Sequence, residues 1–238
     1  MSSFTLAWHF LIFGVLPYVV IAVLVLGSLA RFVLAPFSWK SQSSEILDKK
    51  DIFWGANLFH IGVIFLFCGH CFGLFTPTEW LNAAGLTPRL HQMMEIICGG
   101  LSAIVAITGL IILTWRRLTN ERVRAASRPS DFWVLFLLLT VIILGIGCVV
   151  NSYFYDRSGA TIILLGGWVR GLFSFDYQAW QNILLVPDWQ KGHIFVGLII
   201  FLIVPFTRLV HIWSGYLSVF YLIRPHQIMR ANNGKPMT

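Results

Sequence analysis

The strongest constraint on this chain is a set of apolar runs too long for an ordinary soluble core. Four lie at roughly 8–34, 53–75, 93–115 and 132–152; a fifth covers about 192–213 and allows continuation towards 223. Each approaches or exceeds the roughly 20 residues that cross about 30 Å of hydrocarbon as a helix. Composition agrees. Over 238 residues the chain is 57% hydrophobic and 11% charged, a profile that excludes a soluble domain. The sequence therefore predicts an all-α polytopic membrane protein, a five-transmembrane-helix bundle forming one domain over 1–238. The first run reads as a retained span, because its start, MSSFTLAWHF, lacks the basic region of a signal peptide. A sixth segment, ATIILLGGWVRGLFSF at 160–175, is short and interrupted by Gly166, Gly167 and Arg170. It reads as an interfacial helix with Trp168 and Phe173 at headgroup depth.

Five spans place the intervening segments alternately on two sides. The 31–52 and 116–131 loops and the tail beyond 223 carry 12 Lys and Arg, against 4 in the N-terminus and the 76–92 and 153–191 loops. The positive-inside rule then puts the N-terminus outside and the tail, 224–238, in the cytoplasm. The same asymmetry accounts for the net charge of +7, so the charge calls for membrane lipid and not for nucleic acid.

Against this apolar background the histidines stand out. The stretch HIGVIFLFCGH, 60–70, carries two of them inside the second run; His193 and His211 bracket the fifth. His9 and His226 have ordinary interfacial or solvated readings. Because the second and fifth runs cross in opposite directions, His60 and His211 fall towards the cytoplasm, and His70 and His193 towards the exterior. Helical geometry puts His193 and His211 on one face and leaves His60 and His70 about 80° apart. The rises disagree, about 15 Å on one helix against about 27 Å on the other, and a bend at Pro205 is one way to absorb this.

Two readings of four intramembrane histidines compete: hydrogen-bonded interhelical contacts or a proton path, and metal ligation. Zinc would need about four ligands at one point, and each level here supplies two strong ones. Haem needs two axial ligands, so two levels of paired imidazoles imply two stacked haem b groups. No C-x-x-C-H occurs, so the haems would be non-covalent. Gly62, Gly69, Gly73, Gly192 and Gly197 thin the helices near these histidines, although close helix packing explains glycines equally well. Arg208, one turn before His211, and Arg116 and Arg117 at the end of the third run are candidates for haem propionates; snorkelling to the interface is the alternative. Cys68, Cys71, Cys98 and Cys148 all lie in apolar runs and read as small apolar fillers.

The stretches ANLFHIGVIFLFCGHCFGLFTP (56–77), KGH (191–193) and VPFTRLVHIWS (204–214) resemble the respiratory nitrate reductase gamma subunit, a membrane dihaem cytochrome b. SQSSEILDKK (41–50), RRLTNERVRA (116–125) and LGGWVRGLFSF (165–175) fit the same pattern, so the resemblance covers nearly the whole chain. It implies that His70 and His193 ligate the outer haem iron and His60 and His211 the inner. It also implies oxidation of menaquinol or ubiquinol near the outer haem in a prokaryotic cytoplasmic membrane. Electrons would pass to an iron–sulfur beta subunit and then to a molybdenum-containing alpha subunit that reduces nitrate. In the family a lysine at the outer start of the third helix is associated with the quinol site. The corresponding residue here is His91, expected to share a pocket with Gly69 and His70. Two alternatives stay open at this point. The same dihaem cytochrome serves a sulfite-reduction-type or nitrite-oxidising complex, or the chain is a haem-free transporter using histidines as proton relays.

Overall fold

A computed structural model describes residues 3–35, 38 and 50–213. Five helices among them are long and apolar enough to cross a membrane, as the five runs predict. Four of these are α1 (Ser3–Leu34), α2 (Lys50–Phe75), α3 (Pro88–Thr119) and α4 (Pro129–Tyr155). The apolar helix α5 (Ala160–Phe173) is too short to cross, and the last span begins with α6 (Asp188–Ile203). The described residues contain no strand. At α3 and α4 the helix starts a few residues before the apolar run, where a polar cap extends it. Thr87 Oγ1 accepts the Leu90 N–H with Pro88 at the first helical position. At α4 the Asp131 carboxylate accepts the Arg128 N–H at 2.9 Å, behind Pro129.

Around the bundle, α2 packs on α3, α3 on α4, α4 on α6 and α6 on α1, with α5 laid against α2. The α2–α3 seam is the most extensive. Small residues make it possible, since lipid offers no hydrophobic drive to associate and close approach is what stabilises membrane helices. Gly62 lies against the Ala106 backbone, where a Cβ would come within 2.5 Å of the amide nitrogen. Gly62, read above as relief for a macrocycle, is thus a packing residue.

Trp168 faces the protein interior. It is 6% exposed, and its indole N–H donates to the Phe13 carbonyl at 2.8 Å, tying α5 to α1. Leu172, Ile183 and Val186 bury with it in one apolar cluster. Phe173 is exposed as expected. An indole has one donor, and burial is tolerable once that donor is paired.

The last span is not one continuous helix over 192–213. The α-helix ends at Ile203, followed by 3-10 turns at Val204–Phe206 and Arg208–Val210 with extended Thr207 between them. Pro205 has no N–H to continue the ladder and its ring crowds the preceding turn. The carbonyls released there are met from α1: Arg31 Nη1 donates to Pro205 O and Thr207 O, each at 2.7 Å. The continuation towards 223 and the tail 224–238 lie outside the described residues.

Between α4 and α5, Asp156 Oδ1 accepts the N–H groups of Ser158, Gly159 and Ala160, and Oδ2 that of Thr161. Partial burial alone would push this carboxyl up, but the hydrogen bonds from Thr161 and Ser158 outweigh it and hold the group at about 2. Gly159 is required beside it: its φ is +77°, and a Cβ would strike the Pro88 carbonyl oxygen.

Two outcomes follow from this packing. Gly62→Leu should force α2 and α3 apart and cost about 1–3 kcal/mol, whereas Gly69→Ala, with open space around it, should melt near the parent temperature in detergent. Because the folded-state pKa of Asp156 lies below the ordinary value of about 3.9, its stabilisation is complete above that value and disappears as pH falls through about 2. Asp156→Ala should cost about 1 kcal/mol at neutral pH and nothing below pH 2, read by thermal melts at several pH values.

Candidate functional site

The four histidines of the second and fifth runs meet in two pairs. The rings of His60 and His211 have centroids 6.1 Å apart, and those of His70 and His193 are 6.0 Å apart. The break at Pro205–Thr207 brings His211 opposite His60, which a straight helix could not do given the unequal rises. α2 and α6 do not pack closely on each other, so the pairs face across the space between these two helices.

Each of the four imidazoles is held by its Nδ1. His60 bonds Ala56 O at 2.7 Å, His70 bonds Leu66 O at 2.7 Å and His211 bonds Arg208 O at 2.7 Å. His193 reaches across to Val141 O on α4 at 2.9 Å, and Gly145, one turn further on, leaves room for its ring. A carbonyl partner requires Nδ1 to carry the proton, so in a neutral imidazole Nε2 is the acceptor nitrogen. That is the arrangement in which a second partner fixes a metal-ligating histidine. Two imidazoles on opposite faces of one metal, each with a bond of about 2 Å, have ring centres about 6 Å apart. The spacing of each pair would therefore accommodate one iron macrocycle held between its two imidazoles. No cluster of three or more ligating side chains occurs among the described residues. Gly69 and Gly197 have nothing within 4 Å of a built Cβ, leaving bare helix surface beside the pairs.

The arginine candidates converge on a residue that sequence reasoning missed. Arg117 Nη1 lies 3.0 Å from Asp131 Oδ2 and Arg208 Nε lies 2.8 Å from Oδ1, with the Asp131 side chain 5% exposed. Arg208 also donates to Ala126 O at 3.4 Å. This triad joins α3, α4 and the broken end of the last span within three residues of His211. Arg116 is buried, so it does not snorkel. The position of Asp131 two residues after Pro129 reads as a helix cap from sequence alone, which hides its second role.

His91, on α3, is 4% exposed, and its Nε2 is buried without a hydrogen-bond partner. Its ring meets Phe72 edge-on at 5.9 Å, which puts it at the level of His70. The small cavity beside it is lined by Gly73, Thr76, Leu86 and Arg170; Gly69 and His70, expected in one pocket with His91, are not part of that lining. Arg170 Nη1 donates to Leu74 O and Thr76 O, closing the end of α2. Glu95, also missed in the sequence, lies one turn from His91 with Oε1 3.9 Å from its Nε2. A carboxylate inside an apolar run was the available signal.

Fold and site together define a five-span helical membrane protein that presents two facing histidine pairs between its second and last spans. Similarity gives that architecture its family. The chain belongs to the nitrate reductase gamma subunit family, whose model matches residues 9–232. It is 36% identical over 219 residues to the respiratory nitrate reductase 2 gamma chain of Escherichia coli, covering 92% of this chain and 95% of the relative. The nitrate reductase gamma chain of Bacillus subtilis is 34% identical over 226 residues, covering 94% and 98%.

The triad generates a prediction. Asp131→Ala leaves two cations facing each other in a buried setting and should cost about 3–5 kcal/mol, read as a loss of thermal stability in detergent. Asp131→Asn should fall between that variant and the parent, because it retains an acceptor without the charge.

Proposed function

We propose that this chain is the quinol-oxidising, electron-transferring cytochrome b subunit of a respiratory nitrate reductase. The observation that carries the reading is the pair of facing imidazole couples, each Nδ1 anchored to a carbonyl and each couple spaced about 6 Å between ring centres. His60 and His211 would hold one haem b and His70 and His193 the other, and the haems would supply one-electron carriers at two depths of the membrane. Arg117 and Arg208 share one carboxylate, so the triad retains a net positive charge that favours a propionate at the His60–His211 level.

The quinol, menaquinol or ubiquinol, reaches the His70–His193 end. His91 accepts a hydrogen bond from its hydroxyl at Nε2, the buried atom that has no partner. Phe72, half exposed and edge-on to the imidazole, lies at the entry. The distribution of basic residues supports an exterior N-terminus and a cytoplasmic tail, and in that orientation quinol protons leave outside while electrons move inward. Each electron moved inward works against the membrane potential at about 2.3 kcal/mol per 100 mV, which the redox drop to the acceptor must cover. The acceptors are an iron–sulfur beta subunit and, beyond it, a molybdenum-containing alpha subunit that reduces nitrate. Membership of the gamma subunit family supports this assembly over a sulfite-reduction-type or nitrite-oxidising one.

The test is spectroscopic. A reduced-minus-oxidised visible spectrum of the purified protein should show b-type bands for two haems; their absence would overturn the reading. His70→Ala and His193→Ala should each remove one of the two haems and stop quinol-dependent reduction, while the haem of the other pair persists. Loss of the other signal instead would mean that the pairs are wrongly assigned.

A further inference from the structure

Glu95 has no part in the function proposed above, yet a carboxylate inside an apolar span is costly and marks a task. It opens the π-helical turn Glu95–Gly99 of α3, a distortion that occurs often at functional sites. The turn and the His91 helix bring two side chains to one point on α2. At Gly73 a built Cβ would meet His91 Nε2 at 3.3 Å and collide with Glu95 Oε1. Only a bare backbone there lets the imidazole and the carboxyl lie side by side. The His91 nitrogen facing this point is buried and has no hydrogen-bond partner.

Three charged neighbours at this end are otherwise engaged. Arg170 of α5 is committed to Leu74 O and Thr76 O, and Arg89 donates to the Arg157 carbonyl at 2.6 Å. Asp156 accepts the first N–H groups of α5. Glu95, with Oε1 3.9 Å from Nε2, is the carboxylate beside His91.

We infer that Glu95 is the proton acceptor behind His91 at the quinol site. This rests on the quinol contact proposed for His91 and adds the fate of the proton. The quinol O–H bond breaks heterolytically, its proton passing to His91 Nε2 and its electron pair staying on the quinol oxygen. The new N–H bond then breaks in turn as the proton moves to Glu95 Oε1. The 3.9 Å gap is closed by a small side-chain movement or bridged by one water. Nε2 regains its lone pair, and the Glu95 carboxyl, whose side chain is 40% exposed, releases the proton to water before it accepts another. Without Glu95 the imidazolium has no outlet, and a second deprotonation must wait.

The experiment uses the intact complex in membranes, with menadiol as the quinol and the haem bands as a check on assembly. Glu95→Gln keeps the shape and removes the acceptor. It should slow menadiol-dependent haem reduction about tenfold or more, with KM changed less than about threefold, and flatten the rise of rate from mildly acidic to mildly alkaline pH. The infrared difference spectrum between acidic and alkaline membranes, which needs no turnover, should lose one carboxyl band in this variant. Glu95→Asp, with the carboxyl drawn back by one methylene, should be slow but keep its pH dependence, and it serves as the test if Glu95→Gln does not assemble. Parent rates in either variant, or an unchanged carboxyl spectrum, would overturn the inference. His91→Ala separates the two levels of the argument. If it leaves menadiol kinetics unchanged, the quinol contact itself fails. If it impairs them while Glu95→Gln behaves as the parent, only the relay fails.

Discussion

A polar group in hydrocarbon must find its partner within the protein, and that rule governs this molecule. It explains why the histidines are rigid: each Nδ1 is tied to a backbone carbonyl, so the opposite nitrogen is aimed without further adjustment. It explains the break in the last span, where Arg31 meets the carbonyls that Pro205 and Thr207 leave unpaired. It also explains the burial of Asp131, whose two oxygens each face an arginine. The bundle is built from such local settlements, with small residues bringing the helices close enough to make them.

Much of this was legible in the residues. Five apolar runs gave five crossing helices, and opposite crossing directions of the second and fifth runs gave the partners in each histidine couple. The rise mismatch between those runs also pointed to trouble near Pro205, although its form, two 3-10 turns around an extended Thr207, was not readable. Where sequence reasoning fell short, the cause was tertiary. Trp168 looks like an interfacial anchor because tryptophan often is one, and only the approach of Phe13 makes its burial favourable. Gly62 and Gly69 are equivalent in a sequence, yet one presses on Ala106 and the other faces open space. Asp131 and Glu95 carried a signal, a charge in or near lipid, but their partners lie on other helices or across a turn.

The two ends of the His-bearing region differ in electrostatic character. Near His211 two guanidinium groups and one carboxylate leave a surplus of positive charge. Near His70 and His91 the neighbouring arginines are tied to carbonyls, and the nearby ionisable pair is an imidazole and a carboxyl. Such a gradient suits the proposed function, in which electrons move one way and protons are released at the opposite face.

The contact from Arg31 to the Pro205–Thr207 segment spans more than 170 positions of the chain. Its consequence concerns biogenesis. As the polypeptide leaves the ribosome, the first helix must wait in the bilayer through four later insertions before its guanidinium finds those carbonyls. His60 emerges early and alone, and its counterpart is seated only when the last span docks on the first. Completion of that pair is therefore a late event, and a nascent chain halted just before residue 205 would carry both His70 and His193 but His60 without His211.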